Sequence, residues 1–305
     1  MEGSGLRAVW QWYRVARHCD AVVFNVEAGP LLMFCALVRV FGLGRAKVIG
    51  VDLILERVSG WKGTVRFMIK RFLLRSVDLF IWYYRRTEDV RRLYDIPENK
   101  TAYVPFKVNS LEAVLAARPT DEGFVLSCGR SRRDYRTFCA AMAGLDTPAV
   151  ILAHVGRETE EHGASIDLDA IPANVRIVDD DGSAASWIDW MSRARTVVLP
   201  IVPETLAPSG IGAYLGAMAL GKCVVITESP ATRDILSPNE AVIIPPRDVE
   251  ALRSAMQRVV TDAAYRERIA DGGRRYALSL GDESRLAADV AVQVGRVLGV
   301  TRPDP

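Results

Sequence analysis

Short apolar runs alternate along this chain with longer segments whose apolar positions recur at helical spacing. Over the first part the runs are 21–24, 47–51, 79–83 and 101–104, and such unbroken runs suit strands buried on both faces. Segments 6–16, 29–41, 61–77 and 87–94 fall between them and predict helices, the second opened by Gly29-Pro30. Residues 109–120, closing on Arg118-Pro119-Thr120, read as a linker. Six further strands follow at 123–127, 149–153, 175–178, 196–199, 223–227 and 241–244, with helices such as 135–143, 185–192 and 212–220 between them and 248–261 and 283–298 closing the chain. The alternation predicts an α/β fold in two parts. One domain covers 1–118, a second 119–280, and a closing helix and tail 281–305.

Composition changes this picture little, and charge changes it more. The chain has 305 residues, 50% hydrophobic and 25% charged, with a formal charge of +2. That is a globular composition, long enough for two cores, and it gives no reason to expect a nucleic-acid partner. Residues 1–118, however, carry 19 Lys and Arg against 11 Asp and Glu, and residues 119–305 carry 20 against 26. A basic first part and an acidic second part suggest different partners. The five scattered cysteines lack metal spacing and read as buried free thiols, and the three histidines assemble no metal cluster by spacing. No secretory signal stands at the start, and the apolar stretch near 29–38 is too short to span a bilayer. A cytoplasmic protein is expected, peripheral on the inner face of the plasma membrane if the basic part meets lipid.

Two loops carry candidate chemistry. Ser209, Gly210, Ile211 and Gly212 stand where an apolar strand passes into a helix, and small residues there open the first-turn amides to an anion such as a diphosphate. A tight turn without a ligand is an equal reading. After strand 123–127 comes Cys128-Gly129-Arg130-Ser131-Arg132-Arg133-Asp134-Tyr135-Arg136, with guanidinium groups suited to phosphate oxygens and an Asp able to cap a helix. In 61–77, Lys62, Arg66, Lys70, Arg71 and Arg75 make a basic face opposite Val65, Met68, Ile69, Phe72 and Leu73. The segment reads either as a contact for an anionic membrane or as a surface helix with its apolar stripe in the core. Asp52, at a strand end, is a candidate to contact or deprotonate a substrate hydroxyl, or else a turn residue. Lys107 is a weaker candidate.

Three stretches resemble GT-B glycosyltransferases of family 4 (group 1): Gly129-Arg130 with Arg133 and Arg136, the run 215–225, and 229–252. The resemblance implies two Rossmann-like domains with parallel sheets facing across a cleft, the first of them here short of its first βα unit. It implies transfer of a sugar from a UDP- or GDP-linked donor to a lipid-linked or polysaccharide acceptor, with retention and without a metal or other cofactor. Arg130 and Arg133 (or Arg136) would hold the diphosphate with the amides of Ser209, Gly210 and Ile211, and the segment Asp179-Asp180-Asp181 would lie near the base. The family's two glutamates fall on Pro208 and Gly216. Glu204 is a candidate substitute for the first, and equally a plain loop carboxylate. These departures keep open a non-catalytic GT-B relative serving as a binding or scaffold subunit.

Overall fold

The computed structural model describes residues 5–25, 28–55, 61–129, 131–153, 164, 166–167, 170–203, 206 and 208–300, the side chains of Trp61 and Lys62 excepted. The chain divides into two compact units, residues 1–105 with 287–305, and residues 106–286.

In the first unit four strands pair in sequence order, all parallel: β1 (Ala21–Phe24), β2 (Lys47–Val51), β3 (Leu79–Trp82) and β4 (Thr101–Tyr103). Helices α1 (Leu6–Ala16), α2 (Ala28–Phe41), α3 (Trp61–Leu74) and α4 (Glu88–Tyr94) accompany them. β3 is buried along its whole length, with Phe80 and Trp82 stacked at 5.5 Å. Each such side chain removed from water contributes about 1.5–3 kcal/mol.

α3 corrects one expectation about packing. Its inward positions are Gly63, Phe67 and Leu74, and Phe67 meets the Tyr94 ring at 5.1 Å. The stripe of Val65, Met68, Ile69 and Phe72 faces solvent and not the core.

In the second unit β5 (Val125–Cys128), β6 (Ala149–Leu152), β7 (Val175–Val178), β8 (Thr196–Leu199), β9 (Cys223–Thr227) and β10 (Val242–Ile244) form a parallel sheet in the order β10-β9-β8-β5-β6-β7. Its helices are α5 (Leu111–Ala116), α6 (Tyr135–Met142), α7 (Ala184–Arg193), α8 (Ile211–Ala219), α9 (Val249–Thr261) and α10 (Ala263–Leu280). α11 (Glu283–Leu298) starts here and continues into the first unit. Tyr135, Phe138, Met142, Ile151, Val198, Val225, Leu252 and Met256 share one core.

The strand order reverses between β5 and β8, and in doubly wound sheets the ligand crevice opens at the carboxyl ends of the strands at that point. The loops leaving β5 and β8 are the two loops that carry the candidate chemistry. α5 occupies the stretch read as a linker, and the sequence pattern held no sign of α10.

Candidate functional site

The loop after β5 is fixed by its own polar groups. Gly129 takes φ +121°, and a Cβ there would lie 2.4 Å from Nη2 of Arg133, so only glycine fits. Tyr135 donates its hydroxyl to the Gly129 carbonyl at 2.6 Å, and Arg133 Nε donates to the Cys128 carbonyl at 2.8 Å. Asp134 then caps α6, accepting from the Thr137 amide at 3.0 Å and the Thr137 hydroxyl at 2.8 Å. The loop after β8 runs beside this turn. Arg133 and Ile201 form an antiparallel bridge, the Asp134 amide donates to Pro200 O at 3.0 Å, and the Ile201 amide donates to Thr227 Oγ1 at 3.0 Å.

The two loops meet at Arg133 and Ser209. Arg133 Nη1 donates to Ser131 O at 2.8 Å and to Ser209 Oγ at 3.1 Å, while Ser209 Oγ donates to Ser131 O at 2.8 Å. Arg133 is only 4% exposed, and no carboxylate among the described residues pairs with it. Burial without a counter-charge pulls its pKa below the usual arginine value. Beside it Gly210 takes φ +88° and opens α8, whose first turn has no side-chain cap. A buried cation and a helix start without a side-chain cap thus stand together, an arrangement suited to phosphate oxygens.

Both line a cavity of about 460 Å³ within the second unit. Ser131, Arg133, Ser209 and Gly210 form a polar end, and Val114, Trp187, Ile188, Met191 and Leu220 an apolar one. Asp180 fixes two residues of the wall, accepting from the Gly182 amide and from Trp187 Nε1, both at 2.9 Å. Sequence reasoning missed Trp187 and gave Ser131 no role, and of the segment Asp179-Asp180-Asp181 it is Asp180 that bonds to residues lining the cavity.

Of the residues named from sequence, Arg133, Ser209, Gly210 and Gly212 line this cavity, and Ile211 stands at the first position of α8. Arg136 is exposed on α6 and Asp179 is exposed after β7, and neither lines the cavity. Arg130 and Glu204 lie outside the described residues. Lys107 is ion-paired with Glu283 and donates to Asn109 Oδ1 at 2.6 Å. Gly216 is on the cavity wall, where a Cβ would meet only Met191 Sδ at 3.8 Å. Gly216→Ala should therefore raise stability by about 0.5–1 kcal/mol in denaturant titration, the ordinary gain for a helix-interior glycine with room.

Asp52 lies in the first unit at the carboxyl end of β2, in the left-handed region at φ +51°, its amide donating to Ile81 O at 2.8 Å. Burial pushes its pKa up to about 6. Burial and the Asp52 charge together push Tyr83 up to about 12, and Tyr84 is shifted the same way. Among the described residues no cluster of His, Cys, Asp and Glu could hold a metal ion, and no helix is long and apolar enough to cross a membrane. Cys35, Cys128, Cys139 and Cys223 are buried free thiols, and Cys19 is exposed.

Solved structures place the fold. A sucrose-phosphate synthase (tll1590) from Thermosynechococcus elongatus matches with a TM-score of 0.73 at 18% identity, over 97% of this chain and 78% of its own. Anabaena Alr3699/HepE, solved in complex with UDP and glucose, matches at 0.72 and 13% identity, over 95% of this chain and 81% of its own. An α,α-trehalose 6-phosphate synthase from Burkholderia multivorans matches at 0.64 and 12% identity, over 98% and 76%. The architecture is that of the GT-B glycosyltransferases. Residues 123–262 match the family Glycosyl transferases group 1, and this match, which lies within the second unit, supports a transferase enzyme. No curated protein matches the sequence.

Proposed function

We propose that this protein transfers a sugar from a nucleoside-diphosphate sugar, UDP- or GDP-linked, to a lipid-linked or polysaccharide acceptor, with retention at the anomeric carbon. The observation that carries the reading is the buried Arg133 guanidinium beside the uncapped start of α8. Breaking the glycosidic bond leaves negative charge on the departing diphosphate. A fixed guanidinium and a helix N-terminus stabilise that charge as it develops, and do so in place of a divalent cation. Trp187 offers a face for the base at the apolar end of the same cavity. On the first unit, Asp52 contacts the acceptor hydroxyl and takes its proton, a role suited to a carboxylate with a pKa near 6. The basic first part of the chain suits an acceptor carried on an anionic membrane surface.

A thermal-shift series with UDP, GDP and ADP and their sugars tests the donor reading. One nucleotide series should raise the unfolding temperature by about 5–10 °C at a hundredfold excess over its Kd. No shift with any of them would sink the reading. Binding without any sugar transfer or donor hydrolysis would favour the scaffold alternative.

A further inference from the structure

α3 presents to water a face that a solvated helix does not have. Val65, Met68, Ile69 and Phe72 are 52%, 64%, 54% and 52% exposed, and their spacing at i, i+3, i+4 and i+7 joins them into one stripe. Scattered exposed apolar residues need no explanation, but a contiguous stripe of large ones marks a contact surface. The inward side is already occupied by Gly63, Phe67 and Leu74, so the stripe is surplus to the core of its own unit.

The rim of the stripe limits what can cover it. α3 carries no Asp or Glu. Arg66 is exposed on one flank. On the other, Arg71 and Arg75 share the single carboxylate of Asp95 at 3.3 and 3.0 Å, which leaves that group net positive. Arg39 of α2 lies over the Phe72 ring at 4.6 Å and donates to Phe72 O at 3.2 Å. A second copy of this chain would set one cationic rim against another. A surface with an apolar interior under a layer of negative charge complements both features, and a bilayer containing anionic lipid is such a surface.

We infer that α3 docks the first unit on an anionic lipid surface, with Val65, Met68, Ile69 and Phe72 entering the acyl boundary and Arg66, Arg71 and Arg75 at the phosphates. The anchor is the apolar stripe, and the cations alone are not sufficient. The inference deepens the proposal of a lipid-borne acceptor, and rests on it for the choice of lipid over an acidic protein.

The test is co-sedimentation of the full chain with phosphatidylcholine vesicles with and without about a third phosphatidylglycerol. Wild type should bind the anionic vesicles at least about tenfold more tightly than the neutral ones, and Met68→Ser/Phe72→Ser should lose about tenfold or more on the anionic vesicles. Because both side chains are already more than half exposed, the double variant should unfold at the wild-type temperature. Val65→Ser/Ile69→Ser provides an independent pair with the same expected loss. Unchanged binding in both pairs, or no binding to anionic vesicles, overturns the proposal. So does a wild-type dimer that either pair converts to monomer, or release from the vesicles by a soluble acidic polypeptide at constant ionic strength. The nucleotide-induced thermal shift, read on the same samples, reports the donor site alone, so failure at one surface leaves the result at the other standing.

Discussion

Inorganic pyrophosphate alone should stabilise the second unit, and Arg133→Met should abolish both that shift and the shift given by nucleoside diphosphates. The guanidinium is buried without a carboxylate partner among the described residues, so an anion in the cavity supplies its missing counter-charge. Two charge-assisted hydrogen bonds, at about 1.5–3 kcal/mol each, put the loss of affinity at about 10²- to 10⁴-fold. The cost to stability is smaller. Removing the side chain takes its donor from Cys128 O, at about 1–3 kcal/mol, while Ser131 O keeps the Ser209 hydroxyl, and it also removes an uncompensated buried charge. Gly210→Ala gives a variant that keeps the charge. Its Cβ would sit at φ +88°, 3.4 Å from Ile201 Cδ1 and 3.5 Å from Arg133 Nη2, straining the turn by about 1–2 kcal/mol and crowding the approach to the α8 amides. Calorimetry following the second unit's transition measures both. A pyrophosphate shift that survives in both variants would show that the anion binds elsewhere.

The sheets were legible in the sequence because a parallel strand covered on both faces must be apolar throughout. Hence β2, β8 and β9 occupy the runs read from the sequence, and the edge strands β1 and β7 coincide with theirs although Val23 and Arg176 are exposed. β5 begins later than the run from Gly123, which takes φ +84° and turns the chain before the strand starts. α10 was invisible for a physical reason. Gly272 and Gly273 interrupt its pattern, yet both are required by packing, since a Cβ on Gly272 would lie 1.9 Å from Asn239 O and one on Gly273 2.8 Å from Glu240 O. α3 shows the limit of amphipathicity as evidence. The pattern separates two faces correctly, but which face turns inward depends on the neighbours of the helix, and here α4 receives Phe67.

At the site, glycines and guanidinium groups stood out in the sequence, but their directions did not. Arg132 at φ +56° and Gly129 at φ +121° turn the backbone so that Arg133 points in, while Arg136, already on α6, points out. No periodicity carries across two left-handed residues. The pairing of Asp180 with Trp187 was hidden similarly, because it depends on the turn at Gly182, φ +76°, that brings the carboxylate back to the indole.

Asp52→Asn should make the protein more stable at neutral pH and nearly inactive. The folded chain raises the Asp52 pKa to about 6, above the ordinary carboxylate range. Below that range both states hold the proton and the full contribution to stability is present. As pH rises towards 6 the unfolded chain gives up its proton first, and stability falls until the folded state has ionised too. Asparagine never ionises, and it tolerates the left-handed φ of +51° at this position. The variant should therefore gain up to about 3 kcal/mol over wild type above pH 7, with the two stability curves converging near pH 4. If Asp52 takes the acceptor proton, kcat should fall by about 10²- to 10⁴-fold, and the wild-type rise in rate through pH 6 should be lost. The nucleotide-induced shift should be unaffected, because Asp52 lies in the first unit and the anion cavity in the second. A variant that is more stable yet turns over within about threefold of wild type would identify Asp52 as a strained turn residue, and the proton would have to go elsewhere. Strain and burial at one carboxylate cost the fold stability whatever its role, so only the loss of rate separates a base from a turn.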